Sequence, residues 1–242
     1  MPVKFEELDW IEFAKLVPKK MDTVILPIGT VEAHGVTSLC TDTIIPVYIA
    51  EKIADKFNAI IAPPIHYGIT HSLYGFPGSL TVSSETFERY ITEIMFCFAD
   101  KGFRKIVLMN GHGGQMDELK RAAFKINYEK SVKVAIVHWW MLCEEVVQEV
   151  YGQIGGHGAL DETAAILAIN KNYVNQSNYK KSLNYTVRKG LSALPFPQPI
   201  LLYKEGEGEP NFDIKKAKMY MSRVVQKVEQ YLKEVFDGWK KL

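Results

Sequence analysis

The chain has 242 residues, 47% hydrophobic and 24% charged, which is enough apolar material for a globular core. Its formal net charge of +1 excludes whole-chain attraction to nucleic acid or to an anionic membrane as an organising force. No run of about 18 apolar residues occurs, and MPVKFEELDWIEFAKLVPKK lacks the segments of a secretory leader, so neither a transmembrane helix nor export is expected.

The elements follow from periodicity. DTVILPIG, residues 22–29, reads as a buried strand: apolar, partly β-branched and stopped by glycine. DTIIPVYIAEKIADKF has helical spacing, with Pro46 placed in a first turn. AIIAPPI is a second strand, ended by prolines. SSETFERYITEIMFCFADKG starts on serine caps and ends on Gly102, as a helix does. RKIVLMN is a third strand, GQMDELKRAAFKINYEK a helix, and VKVAIVHWW a fourth strand followed by a helix near 141–150. GALDETAAILAIN is another helix, and 213–237 a long amphipathic one whose lysines mark a solvated face. Residues 172–212, rich in Asn, Tyr, Pro and Gly, show no clear period. This alternation predicts one α/β domain over residues 1–242 with a mostly parallel sheet covered on both faces.

Cys40, Cys97 and Cys143 are an odd count without a CxxC pair, so a reducing, cytoplasmic setting is expected rather than a disulfide framework. Cys97, inside IMFCF, is expected in the core. The spacing of Cys40 matches no thiolate-ligand pattern.

Ligands of parallel sheets gather beyond the carboxyl ends of the strands. Glu32, His34 and Asp42 follow the first strand, and His112 in LMNGHGG follows the third at once. His157 in GGHGALDET precedes a helix whose first turn holds Glu162. Two imidazoles with several carboxylates suit zinc, manganese or iron(II). The surplus of carboxylates points to two metals, with Asp42 able to bridge them. Each signal alone has an ordinary reading. A histidine after a strand is commonly structural, GHGG could cradle an anion, and Glu162 could complement a helix dipole. Two rivals therefore stand beside the metal reading: a non-catalytic binder of a phosphorylated ligand, and a protein whose metal only stabilises the fold. His138 is expected in the core or behind the site. His66 and His71, in PPIHYGITHSLYGFPGSLT, belong either to a substrate-facing wall or to a structural loop.

Taken together, LPIGTVEAHG…TDT, PPIHYGITHSLYGFPGSLTVSSETF, GFRKIVLMNGHGG and GHGALDET resemble the creatininase family, in family order over roughly residues 22–170. The resemblance implies a three-layer αβα fold, two divalent metals and hydrolysis of a C–N bond, often in a cyclic or formyl amide. It also implies a small-molecule substrate and a homo-oligomer, commonly a hexamer. Glu32 and His34 would ligate different metals, Asp42 would bridge them, His112 would join the metal of Glu32, and Glu162 would complete the second site. His157 matches a proton-transfer histidine, and with Glu162 makes the implied catalytic pair. Gly114 stands where creatininase itself has a ligating glutamate, which argues against creatinine as substrate. Thr37 stands where a second histidine is common, and Leu160 where a glutamate is frequent. The loop between His34 and Asp42 is one residue shorter than the usual form, and Gln115 replaces a frequent asparagine. Relatives include a deformylase, a peptidase and a hydrolase of an inositol-derived diketone, so C–C cleavage is an alternative. Selectivity is expected from residues 64–80, Trp139 and Trp140, and residues 190–212.

Overall fold

The computed structural model describes residues 2–242. A five-stranded sheet forms its centre, made of β1 (Val3–Lys4), β2 (Thr23–Ile28), β3 (Ala59–Ile61), β4 (Lys105–Asn110) and β5 (Lys133–His138). The order is β1-β3-β2-β4-β5 and every pairing is parallel. The helices are α1 (Trp10–Leu16), α2 (Thr41–Ile53), α3 (Ser84–Lys101), α4 (Met116–Lys130), α5 (Trp139–Leu142), α6 (Glu144–Tyr151), α7 (Leu160–Ile169) and α8 (Ile214–Trp239).

The strand alternation sorts the core into two layers. Val24, Leu26, Ile28, Ile106 and Leu108 point to one face, against Phe87, Ile91 and Met95 of α3 and Leu119 and Ile126 of α4. Ile25, Val107 and Met109 point to the other, against α2, α7 and α8. Sheet plus two helical layers is the three-layer αβα sandwich. On α8, the buried Ala217, Tyr220, Met221, Val224, Val228 and Leu232 recur every three or four residues, and the lysines lie mostly on the exposed side.

Helix punctuation follows the sequence. The Ser83 hydroxyl accepts the Thr86 N–H at 3.2 Å, and Gly102 closes α3 at φ 106°, a conformation that favours glycine.

Two expectations are corrected. Cys97 is exposed, not core. The buried face of α3 runs through Phe87, Ile91 and Met95, and two residues turn a helix by about 200°, placing Cys97 outside. Pro46 lies inside α2, beyond the first turn. It has no N–H to give the Asp42 carbonyl four residues back, which leaves that oxygen outside the helix ladder.

Residues 172–212 contain two single 3-10 turns, the end of a third that starts at Lys171, and a short parallel pair, β6 (Asn184–Thr186) with β7 (Ile200–Leu202). Ile200 and Leu202 pack on Ala159, beside the turn that leads into α7.

Candidate metal centre

β2 and β4 are neighbours at the middle of the sheet, paired from Thr23 with Lys105 to Ile28 with Asn110. Their carboxyl ends open on one edge, so the loops after them meet. The loop after β2 is fixed by backbone contacts: Gly29 N–H on the Ile65 carbonyl at 2.9 Å and Glu32 N–H on the Leu39 carbonyl at 3.0 Å. The Ser79 hydroxyl receives the Ala33 N–H at 3.0 Å.

The five residues expected as ligands converge. Asp42 lies between two imidazoles, with Oδ1 2.8 Å from His34 Nε2 and Oδ2 2.9 Å from His112 Nδ1. Glu32 Oε1 is 3.1 Å from His112 Nδ1, and Glu162 Oε2 is 3.8 Å from His34 Nε2. Two triads result, Glu32–Asp42–His112 and His34–Asp42–Glu162, sharing Asp42. A third grouping joins Glu32 and His34 to His157, whose Nδ1 is 3.4 Å from Glu32 Oε1. Glu32, His34 and Asp42 are each no more than 1% exposed.

Each imidazole turns its other nitrogen to a backbone carbonyl. His34 Nδ1 meets the Glu32 carbonyl at 3.0 Å, His112 Nε2 that of Ile69 at 2.7 Å, and His157 Nε2 that of Ala33 at 2.7 Å. A carbonyl only accepts, so each of these nitrogens carries the proton, and in the neutral ring the other presents a lone pair to the carboxylates. The Asn110 amide donates to the His112 carbonyl at 2.6 Å and contacts His138 Nδ1 at 2.9 Å, which fixes the turn behind β4. His138 thus stands behind the site.

The donor set fits divalent cations. Both Glu32 oxygens and Asp42 Oδ2 are buried without a hydrogen bond, a costly state for carboxylates. Lone pairs of neutral imidazoles facing carboxylate oxygens at about 3 Å repel unless a proton or a cation lies between them. Without a metal, the same carboxylates favour a second proton on the His34 and His112 rings. Burial opposes charge on His34, yet Asp42, Glu162 and Glu32 outweigh it and raise its pKa to about 10. His112 is likewise raised against burial, by Glu32 and Asp42. Burial would raise Glu32 and Asp42, but the facing imidazoles hold both carboxyls low. Burial lifts Glu162 to about 8, and burial with the neighbouring His34 charge depresses His157 to about 4.

Glu32, His112, His157 and Glu162 line a cavity of about 570 Å³, which His34 and Asp42 do not reach. Ser72 and Leu73 come from the 64–80 loop, Trp140 and Met141 from α5, Leu201 from β7, and Tyr203 just after it. His66 and His71 are exposed and do not line it, and Trp139 is fully buried, so only Trp140 of the pair reaches the cavity. Sequence reasoning missed Asp161, which also lines the cavity, and the Ile69 and Ala33 carbonyls. The acidic first turn of α7 was the one available signal for Asp161.

Fold and cluster define a class: a parallel three-layer α/β protein with a buried imidazole–carboxylate centre, suited to divalent metals, at the carboxyl ends of its strands. The family model for creatininase, described as creatinine amidohydrolase, matches residues 6–208. The chain belongs to the creatininase family, a family of hydrolases. It is 27% identical to creatinine amidohydrolase of Pseudomonas putida over 183 residues, 67% of this chain and 70% of that protein. It is 37% identical to 3-dehydro-scyllo-inosose hydrolase of Thermotoga maritima over 97 residues, 39% of this chain and 31% of that one. A zinc–zinc form of a creatininase mutant shares the fold at a TM-score of 0.80, covering 98% of this chain and 99% of that one at 22% identity.

Proposed function

We propose that the chain hydrolyses a C–N bond of a small cyclic or formyl amide, using two divalent metals, zinc, manganese or iron. Glu32, Asp42 and His112 would hold one, and His34, Asp42 and Glu162 the other. The observation that carries this is the pair of triads sharing Asp42, with buried Glu32 and Asp42 oxygens that make no hydrogen bond. When bound, such cations supply Lewis acidity, lowering the pKa of a water and polarising a substrate carbonyl.

The chain's own residues do the rest. Backbone carbonyls hold each of the three imidazoles in one tautomer, with the free nitrogens toward the carboxylates of Glu32 and Asp42. His157 takes a proton from the attacking water at Nδ1 and delivers it to the leaving nitrogen as the C–N bond breaks. Glu162 takes part in catalysis as a ligand and by holding the turn that carries His157, because its Oε2 accepts the Gly158 N–H at 2.6 Å. The apolar wall of Leu73, Met116, Trp140 and Val147 limits water around the substrate.

A second reading, cleavage of a C–C bond in a cyclic diketone, is favoured by the 37% identity to the inosose hydrolase. Binding of a phosphorylated ligand is disfavoured by the walls, which carry Glu32, Glu144, Asp161 and Glu162 and no Lys or Arg among the described residues. We further infer a cytoplasmic homo-oligomer, a hexamer, with three free cysteines, checked by light scattering in solution.

The test is elemental analysis with a substrate screen of p-nitroformanilide, a dihydropyrimidine, creatinine, short peptides and cyclohexane-1,3-dione. Bound metal with turnover of an amide supports the C–N reading, and turnover of the dione alone moves it to C–C cleavage. A metal-free protein whose hydrolysis survives Glu32→Gln and His112→Ala overturns both.

A further inference from the structure

The first turn of α7 carries two adjacent carboxylates, and both clamp the turn just before it. Glu162 holds the Gly158 N–H at 2.6 Å, while Asp161 Oδ1 accepts the Gly156 N–H at 2.9 Å. His157 lies between those two anchored amides. Its ring is also held from the far side, through Nε2 on the Ala33 carbonyl at 2.7 Å. Asp161 is 5% exposed, and its carboxyl group sits directly over Gly155. A Cβ at Gly155 would overlap that carboxylate, with Oδ1 at 2.6 Å.

We propose that Asp161 is a positioning residue for His157, holding the Gly155–Gly156 backbone so that Nδ1 faces the reacting atoms. The proposal rests on the reading of His157 as the proton-transfer group. An orienting partner of this kind is worth roughly 10- to 100-fold in activity. Asp161 belongs to neither metal triad, so its loss spares the metals.

The test compares Asp161→Ala and Asp161→Asn in the metal-loaded enzyme, with the fastest amide of the screen above. Asp161→Ala lowers kcat about 10- to 100-fold with KM changed less than about threefold and metal content intact. Asp161→Asn retains an acceptor oxygen and recovers most of kcat. In a His157→Ala background, Asp161→Ala costs nothing further, because both changes remove one function. A second readout needs no substrate: imidazole nitrogen shifts of the metal-free chain, with His157 assigned by its loss in His157→Ala. The His157 signals move in Asp161→Ala and stay in place in Asp161→Asn. A kcat loss that adds in full to that of His157→Ala, or unmoved His157 signals in a folded Asp161→Ala, overturns the positioning role. If His157→Ala itself leaves kcat unchanged, the proton-transfer reading fails instead, and the positioning proposal falls with it.

Discussion

Asp42 and His112 meet at 2.9 Å, Oδ2 to Nδ1, although the Nε2 of the same imidazole is committed to the Ile69 carbonyl. Asp42 Oδ1 has the same relation to His34. One short side chain thus touches both halves of the centre, which makes it the residue whose loss is shared. Asp42→Asn keeps the shape but replaces one oxygen with an N–H₂ that cannot ligate. We expect loss of both metals and at least about a 100-fold fall in activity, more than an outer-shell change produces. Glu32→Gln, confined to one triad, leaves about one metal per chain. Elemental analysis of the two variants separates these outcomes, and equal metal content in both would refute the bridging role.

The pH dependence of metal uptake has a definite sign. The metal-free chain keeps a proton on His34 up to a pKa of about 10 and one on Glu162 up to about 8. A metal takes neutral imidazole and ionised carboxylate, so uptake near pH 7 releases protons and affinity climbs with pH, about tenfold per unit for each proton. Calorimetry in buffers of different ionisation enthalpy counts them. Stability of the metal-free form moves the other way. His34 is raised from 6.5, so its contribution is complete below 6.5 and is lost as pH rises toward 10. Glu162, raised from 4.5 to about 8, adds a loss across that range. Glu32 and Asp42 are lowered, so their contribution is present above the usual carboxylate range and lost on acidification. Asp161, raised from 3.8 to about 6, adds a second loss, and His157, lowered from 6.5 to about 4, a gain that offsets only one of the two. Thermal melts of the chelated protein should therefore peak near pH 4.5 and fall above it.

Removing metal should not unfold the protein. The two apolar layers on either face of the sheet run its full width without using the cluster. Treatment with a chelator is expected to lower Tm while leaving far-ultraviolet circular dichroism in place, and to abolish activity reversibly. Complete loss of secondary structure on chelation would favour the rival in which metal serves only the fold.

Much of the architecture was legible because period-2 and period-3.6 patterns are set by burial, and the sheet buries both faces. Glu32, His34 and His112 stood out for the same reason, as polar residues directly after apolar runs. Cys97 misled because an apolar neighbourhood in sequence is not a buried phase on a helix. The contacts that orient the imidazoles were illegible, since Ile69 and Ala33 act through carbonyls that every residue possesses. Asp161 was hidden because its partner, Gly156, is reached only once the chain folds back before α7. Residues 172–212 gave no period because their segments are too short to show one.

The glycines around His112 should differ sharply in tolerance. A Cβ on Gly111 would overlap the Asp42 carbonyl oxygen and lie 2.7 Å from Pro46 Cγ. Pro46 leaves that carbonyl without a helical N–H partner, and the Gly111 backbone fills the space beside it. Gly111→Ala must therefore push α2 away from β4, and Asp42 with it. We expect about 1–3 kcal/mol of destabilisation, typical of overpacking, and a lowered metal content. At Gly113 the nearest atom to a Cβ is Trp140 Cζ2 at 3.9 Å, an ordinary contact, and the backbone has no positive φ. Gly113→Ala should keep its metal and melt within about 0.5 kcal/mol of the parent. Urea unfolding and elemental analysis of the pair decide the matter. If Gly111→Ala were as benign as Gly113→Ala, the close approach of β4 to the start of α2 would not be what sets Asp42 in place.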